Sequence, residues 1–139
     1  MREILFRGKR VDNGEWVEGF YYHGELYDLD EIDTHYIIPG CDLYDEDLEL
    51  VEVLPETVGQ YTEMSDNNHD GIFEGDIVRC KQEKNEGICV VRWFNGAFVA
   101  CPISGNLLEM TLHDYWYNDY DLVEIIGNET DNPELLKGE

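Results

Sequence analysis

Residues 56–78 read ETVGQYTEMSDNNHDGIFEGDIV, and they contain the main fold signal of the chain. Thr57 to Tyr61 is rich in β-branched and aromatic residues, and Phe73 to Val78 has a similar character, so both ends favour strands. Residues 65–71 read SDNNHDG, a polar composition typical of a turn. The stretch predicts two strands joined by a polar turn, and hence a mainly β protein.

Upstream of this stretch the apolar residues recur with a period of two, which indicates strands rather than helices. Asn13-Gly14 is a hairpin signal between two of these runs. The predicted strands are residues 2–7, 16–22, 26–29, 36–38 and 51–54, with an acidic loop or single helical turn at 42–49. The first three of these strands, within the first thirty residues, predict an N-terminal β-meander.

Downstream, strands are predicted at residues 75–80, 88–93, 97–101 and 122–126, with residues 104–119 irregular or partly helical. Asn95-Gly96 is the strongest hairpin signal in the chain. A Gly-Asp-Ile-Val opening followed by Val-x-Trp, a tight turn and Phe is common in SH3-like small barrels. Asn132-Pro133 predicts a short C-terminal helical turn. The expected organisation is an N-terminal β region at 1–62, a connecting turn at 63–73 and a small-barrel region at 74–139, or a single compact unit.

Three blocks in order resemble the YopX-like family of small proteins from Gram-positive phages and prophages. They are the opening MREILFRG at residues 1–8, the central stretch, and VEIIGN at 123–128 with NPELL at 132–136. The turn differs from the family pattern, because residues 63–66 read EMSD where a short Gly-Leu-Lys-Asp type is usual. The resemblance implies a β-rich fold and the cytoplasm of an infected or lysogenic bacterium, and it brings no catalytic residues.

The 139-residue chain has 9 Lys plus Arg against 32 Asp plus Glu, a formal net charge of −23. Such a charge repels nucleic-acid phosphates and anionic lipids, so direct binding to nucleic acid or membrane is not expected. Two interpretations stay open: a solvated acidic surface, or a surface that attracts basic proteins. Residues 25–56 contain no Lys or Arg, and this uneven distribution raises the hypothesis of a homo-oligomer.

The four cysteines, at positions 41, 80, 89 and 101, form no Cys-x-x-Cys pair. Cys80, Cys89 and Cys101 fall in strand-like runs, where a free cysteine behaves as a small hydrophobic residue. A reduced, intracellular setting is expected. No apolar run approaches the length of a membrane helix, and the first residues alternate as a strand rather than forming a signal peptide.

Asp66, Asn68, Asp70 and Gly71 match the first half of an EF-hand calcium loop. The loop needs a bidentate Glu at its twelfth position, which is Ile77 here. The candidates are therefore an open, low-affinity calcium site and a simple turn between strands.

Other chemistry is not indicated. His23, His35, His69 and His113 lack metal-binding spacing to one another or to Cys. No Gly-x-Ser-x-Gly and no phosphate-binding loop occurs. The sequence predicts no catalytic residues, no cofactor and no enzyme.

Residues 113–120, HDYWYNDY, are aromatic and acidic. Trp and Tyr are enriched where proteins contact one another, so Tyr115, Trp116, Tyr117 and Tyr120 are candidate contact residues. The alternative is a segment folded over the core, with Trp116 capping it.

These observations predict a non-enzymatic module that binds a protein partner or self-assembles. A second hypothesis is an acidic nucleic-acid mimic that occupies a basic host protein. A third is a module stabilised by weakly bound calcium.

Overall fold

The computed structural model describes residues 4–23, 34–39, 49–82, 84–105, 107–117 and 122–137, with the backbone alone at 82, 116, 117 and 122. The strand predicted at 26–29 and most of the loop predicted at 42–49 lie outside these residues.

The described residues form a mainly β protein, as predicted. The strands are β1 Phe6–Lys9, β2 Trp16–His23, β3 His35–Ile38, β4 Val51–Val53, β5 Gly59–Ser65, β6 Gly71–Phe73, β7 Asp76–Gln82, β8 Asn85–Phe94, β9 Ala97–Gly105, β10 Met110–Thr111 and β11 Leu122–Asn128. A short helix α1 spans Leu112–Tyr117, and 3₁₀ turns span Pro55–Thr57 and Pro133–Lys137. The last of these is the predicted C-terminal helical turn.

The chain divides into two compact units, Met1–Tyr61 and Thr62–Glu139, and β5 runs through the division. We call them unit 1 and unit 2. Within the predicted connecting turn, residues 63–73, the structure has the end of β5, a turn at 66–70 and then β6. Most of that segment is therefore strand.

Unit 1 is an antiparallel sheet in the order β4-β3-β2-β1, with the start of β5 beside β1. Its core is the buried face formed by Ile37, Val51 and Val53, against which Phe6 and Val17 pack. The described strands of unit 1 form a meander, since β1, β2, β3 and β4 pair in chain order. Its third strand is His35–Ile38, whereas the third strand of the predicted meander, at 26–29, lies outside the described residues.

Unit 2 contains an antiparallel sheet in the order β10-β9-β8-β7-β11, while β6 pairs with the end of β5. Its core members are apolar side chains from the sheet and from α1: Ile72, Val78, Cys80, Cys89, Val91, Ala100, Leu107, Leu112, Tyr115 and Val123. These strands include all those predicted for the small barrel. Closure into an SH3-like barrel stays a prediction.

The β8–β9 hairpin has the predicted two-residue turn. Asn95 and Gly96 both have positive φ, 51° and 82°, which is the signature of a type I′ turn. Phe94 pairs with Ala97, so the turn contains only these two residues. The Asn-Gly prediction is confirmed.

Both strands of this hairpin are longer than predicted: β8 begins at Asn85, and β9 continues past Pro102 to Gly105. Proline lacks the N–H that a sheet needs and is usually confined to edges or bulges. Here the register shifts between Ile88 and Cys89, whose partners are Ser104 and Pro102. The bulge accommodates the proline and lets pairing resume beyond it.

We predict that Gly105→Ala destabilises the protein more than Gly96→Ala. Both glycines have positive φ, which costs an L-residue roughly 1–2 kcal/mol. At Gly105 an added Cβ would also lie 2.3 Å from the Glu86 carbonyl oxygen, whereas nothing lies within 4 Å at Gly96. Urea unfolding measures both variants, and equal losses would contradict the backbone clash.

Candidate functional site

The turn at residues 66–70 is organised by the carboxylate of Asp66, which is only 5% exposed. Its Oδ1 accepts the backbone N–H groups of Asn68 and Asp70, both at 2.9 Å. The backbone also closes the turn, because the Asp66 N–H donates to the Asp70 carbonyl at 2.8 Å. A single buried side chain thus satisfies the amides that the turn leaves without strand partners.

The same turn binds strand β11. Oδ2 of Asp66 accepts the N–H of Ile125 at 3.0 Å. The neighbouring Asn67 pairs with Val123 twice: its Oδ1 accepts the Val123 N–H at 3.1 Å, and its own N–H donates to the Val123 carbonyl at 2.9 Å. We call Asp66 and Asn67 the edge clasp. It holds the side of β11 that faces away from β7.

The edge clasp bears directly on the calcium hypothesis. Asp66, the first predicted ligand, uses both oxygens on backbone amides, so a cation would compete with these hydrogen bonds. Asn68 and Asp70, the other candidates, are exposed. Among the described residues, no group of three His, Cys, Asp or Glu side chains is arranged to hold a metal ion. The low-affinity calcium site stays a prediction.

A second buried carboxylate holds the next turn of the same segment. Asp76 is 2% exposed, and its Oδ2 accepts the Phe73 N–H at 2.8 Å. Gly75, with φ of 93°, donates its N–H to the Val91 carbonyl and accepts the N–H of Glu129, both at 2.9 Å. Positive φ explains why glycine stands in Phe-Glu-Gly-Asp. This turn therefore links β6 and β7 to β8 and to the end of β11.

Within the described part of the predicted aromatic contact segment, Tyr115 is a core residue. Tyr115 lies on α1, is 2% exposed and packs in the core of unit 2. Tyr115 is therefore not an exposed contact residue, which corrects the prediction for this residue. The helix places Leu112 and Tyr115 towards the core and His113 and Asp114 towards solvent. The side chains of Trp116 and Tyr117, and Tyr120 as a whole, lie outside the described residues, so for them the contact prediction is unchanged.

Among the described residues of unit 2, two large aromatic side chains at the end of the β8–β9 hairpin are exposed. Trp93 and Phe94 are 56% and 55% exposed. Trp93 packs edge-on against its strand partner Phe98, with ring centroids 4.8 Å apart. We call Trp93, Phe94 and Phe98 the hairpin tip. The sequence signal for it was WFNGAF at 93–98, a run of six residues with no charge in a strongly acidic chain.

The described cysteines lie on β7, β8 and β9. Cys80 and Cys89 are fully buried in the unit 2 core, as predicted, and Cys101 is partly buried. The hydrogen bond with Cys80, followed by burial, raises the pKa of Cys89 far above its ordinary value of 9.0. Burial also raises the pKa of Cys101. Reactive cysteines usually have lowered pKa values, and the shifts of these two thiols run in the opposite direction.

This is a small, mainly β protein in which the buried carboxylates of Asp66 and Asp76 accept hydrogen bonds from the turns of residues 56–78. The family model described as YopX protein matches residues 5–137, nearly the whole chain. The chain therefore belongs to the YopX family, as its three sequence blocks predicted.

A solved structure supports the fold. The crystal structure of protein EF1440 from Enterococcus faecalis is similar with a TM-score of 0.52 and 22% sequence identity, over 98% of this chain and 99% of that one. At this identity the likeness shows the fold alone. No curated protein matches the chain. None of the helices in the described residues has the length and apolar character required to cross a membrane.

We predict that Asp66→Asn lowers the free energy of unfolding by about 2 kcal/mol. The substitution replaces one accepting oxygen by an NH₂ group, which would face a backbone N–H and could not accept its hydrogen bond. Asp70→Asn is the matched control. Its side chain is exposed and only its backbone groups enter the turn, so we expect a change within about 0.5 kcal/mol. Urea unfolding of both variants provides the measurement, and equal effects would show that the clasp contributes little.

We also predict that stability falls as pH rises above 9.0, the ordinary pKa of the Cys89 thiol. The folded protein keeps this proton while the unfolded chain releases it, so the unfolded state binds fewer protons. The free energy of unfolding then decreases by about 1.4 kcal/mol per pH unit for each such thiol. Urea unfolding at several alkaline pH values should show a shallower decline in Cys89→Ala, and identical slopes would rule out this origin.

Proposed function

We propose that this chain is a non-enzymatic protein-binding module of the bacterial cytoplasm, in a phage or prophage setting, and that the hairpin tip is its contact site. The observation that carries the proposal is the exposure of two adjacent large aromatic side chains, Trp93 and Phe94, on a structured hairpin. The phage setting is supported by membership of the YopX family.

The hairpin tip has the physical properties of an interface anchor. Tryptophan is among the residues most enriched at binding hot spots, because it buries a large area with few rotatable bonds. The type I′ turn and the Trp93–Phe98 ring contact hold these side chains in place before a partner arrives, which reduces the entropy lost on binding. An uncharged centre within a charged surface also matches the usual layout of protein interfaces.

The net charge of −23 favours a partner of opposite charge. Two copies of this chain repel each other over any distance that salt does not screen, which opposes self-assembly. A protein with a basic surface is attracted instead, and its association is accelerated by the opposite charge. We therefore favour a basic protein partner that carries an apolar pocket for the hairpin tip.

The second candidate function is a nucleic-acid mimic, which the charge alone favours. In that case carboxylates would replace phosphates, and a DNA-binding host protein would be held by charge without the aromatic anchor. The two candidates differ in how binding responds to salt and to loss of the hairpin tip, because apolar contacts resist screening.

We predict that a basic partner captured from bacterial lysate by the tagged full chain is lost in Phe94→Ala and retained in Phe20→Ala. Phe20, on β2 of unit 1, undergoes the same substitution at a similar exposure, 48% against 55%. Circular dichroism melting checks that both variants stay folded. Quantification by mass spectrometry at low and high salt provides the measurement.

Capture that resists high salt and depends on Phe94 supports the aromatic contact site. Capture that is indifferent to Phe94 and abolished by high salt supports the mimic and overturns the assignment of the hairpin tip. Recovery of the protein alone, with a mass in solution above that of one chain, would favour self-assembly over either.

A further inference from the structure

The chain contains two Asn-Gly pairs, at 13–14 and 95–96, and all four residues are exposed. An asparagine followed by glycine can lose its side-chain amide without an enzyme. The backbone nitrogen of the glycine attacks Cγ of the asparagine, a C–N bond forms, and the side-chain nitrogen leaves as ammonia. Water then opens the resulting succinimide ring to aspartate or to isoaspartate. Glycine favours the attack because it has no Cβ to hinder a close approach.

Hydrogen bonds hold the reacting groups of the first pair, in the loop between β1 and β2. The Gly14 N–H donates to the Arg10 carbonyl at 3.0 Å. Oδ1 of Asn13 accepts the Glu15 N–H at 2.9 Å, and its Nδ2 donates to the Glu15 carboxylate at 3.4 Å. Both the attacking nitrogen and the carboxamide must therefore leave their partners before the ring can close.

The second pair, at the end of the β8–β9 hairpin, has none of these restraints. Within the part of the chain that the structure describes, neither the carboxamide of Asn95 nor the N–H of Gly96 makes a hydrogen bond. Nothing lies within 4 Å of a Cβ built on Gly96, so the approach to its backbone is open. Ring closure requires the turn to rotate, and exposed turns open locally at a far lower free energy than the core.

Charge favours reaction at the same pair. The attacking nitrogen reacts as an anion after it loses its proton, and neighbouring carboxylates oppose that loss. Asp12 and Glu15 flank the first pair, whereas residues 93–98 contain no charge. We propose that Asn95 is a site of spontaneous deamidation in this protein, and that the hydrogen bonds around Asn13 protect the other pair.

The two products differ in their effect on the hairpin. Aspartate followed by glycine also favours a type I′ turn, so this product keeps the turn and adds a negative charge to the hairpin tip. Isoaspartate routes the main chain through Cβ and lengthens a two-residue loop, whose length fixes the register of Phe94 with Ala97. An effect on partner binding rests on the proposed function, whereas the modification site does not.

The test is incubation of the folded full chain in mildly alkaline buffer, followed by proteolysis and tandem mass spectrometry. We expect Asn95 to convert about tenfold faster than Asn13, the factor that follows from the loss of one or two exposed hydrogen bonds. In concentrated urea the structural difference is removed, so the two rates should approach each other. Gly96→Ala should slow conversion of Asn95 and leave that of Asn13 unchanged.

A second readout follows the products. Ion exchange separates the modified protein by its added charge, and circular dichroism melting compares the forms. Asn95→Asp should melt close to the wild type, whereas the isoaspartate form should melt lower, because its turn no longer fits the hairpin. Equal melting of both forms would contradict the effect on the turn.

Absence of conversion at Asn95 in the folded protein, or equal rates at Asn95 and Asn13 there, would overturn the proposal. A difference in rate that persists unchanged in urea would overturn the protection of Asn13 by its hydrogen bonds. The measurement needs no binding partner, so its failure and the failure of the proposed function are distinguishable.

Discussion

The hydrogen bonds of the Asp66 carboxylate are the constraint on which unit 2 depends. They join the turn at 66–70 to Ile125, near the opposite end of the unit in sequence. A buried carboxylate is costly unless it is hydrogen-bonded, and bonds from N–H groups to an ionised acceptor are among the stronger ones. The turn and β11 therefore stabilise each other, and neither would satisfy its backbone groups alone.

The edge clasp also explains how β11 ends the sheet. An unpaired strand edge is a template for pairing with another chain, and proteins usually cover or charge it. Here Asp66 and Asn67 occupy backbone groups of Val123 and Ile125 that point away from β7. Side-chain oxygens thus replace a further strand. This role needs an acceptor of several hydrogen bonds, which a turn built only from glycine would lack.

Local features of the fold could be predicted from sequence, and long-range features could not. The hairpin turn at Asn95-Gly96 was predicted correctly, because the type I′ geometry depends on those two residues alone. Asn132-Pro133 likewise predicted the helical turn that the structure has at Pro133–Lys137. The role of Asp66 was missed, since its partner Ile125 is remote in the chain, and the segment resembled a calcium loop instead.

The aromatic residues show why composition alone does not say which aromatic side chains are exposed. Tyr115 and Trp93 are both large aromatics in segments that resemble interface sequences, yet one is buried and the other exposed. The difference comes from position relative to the core. Tyr115 lies on a helix that packs in the core, whereas Trp93 stands near the end of a strand, beyond the buried Val91. Period-two alternation predicts which face a side chain takes, but where the core ends along a strand depends on the neighbouring strands and on their bulges.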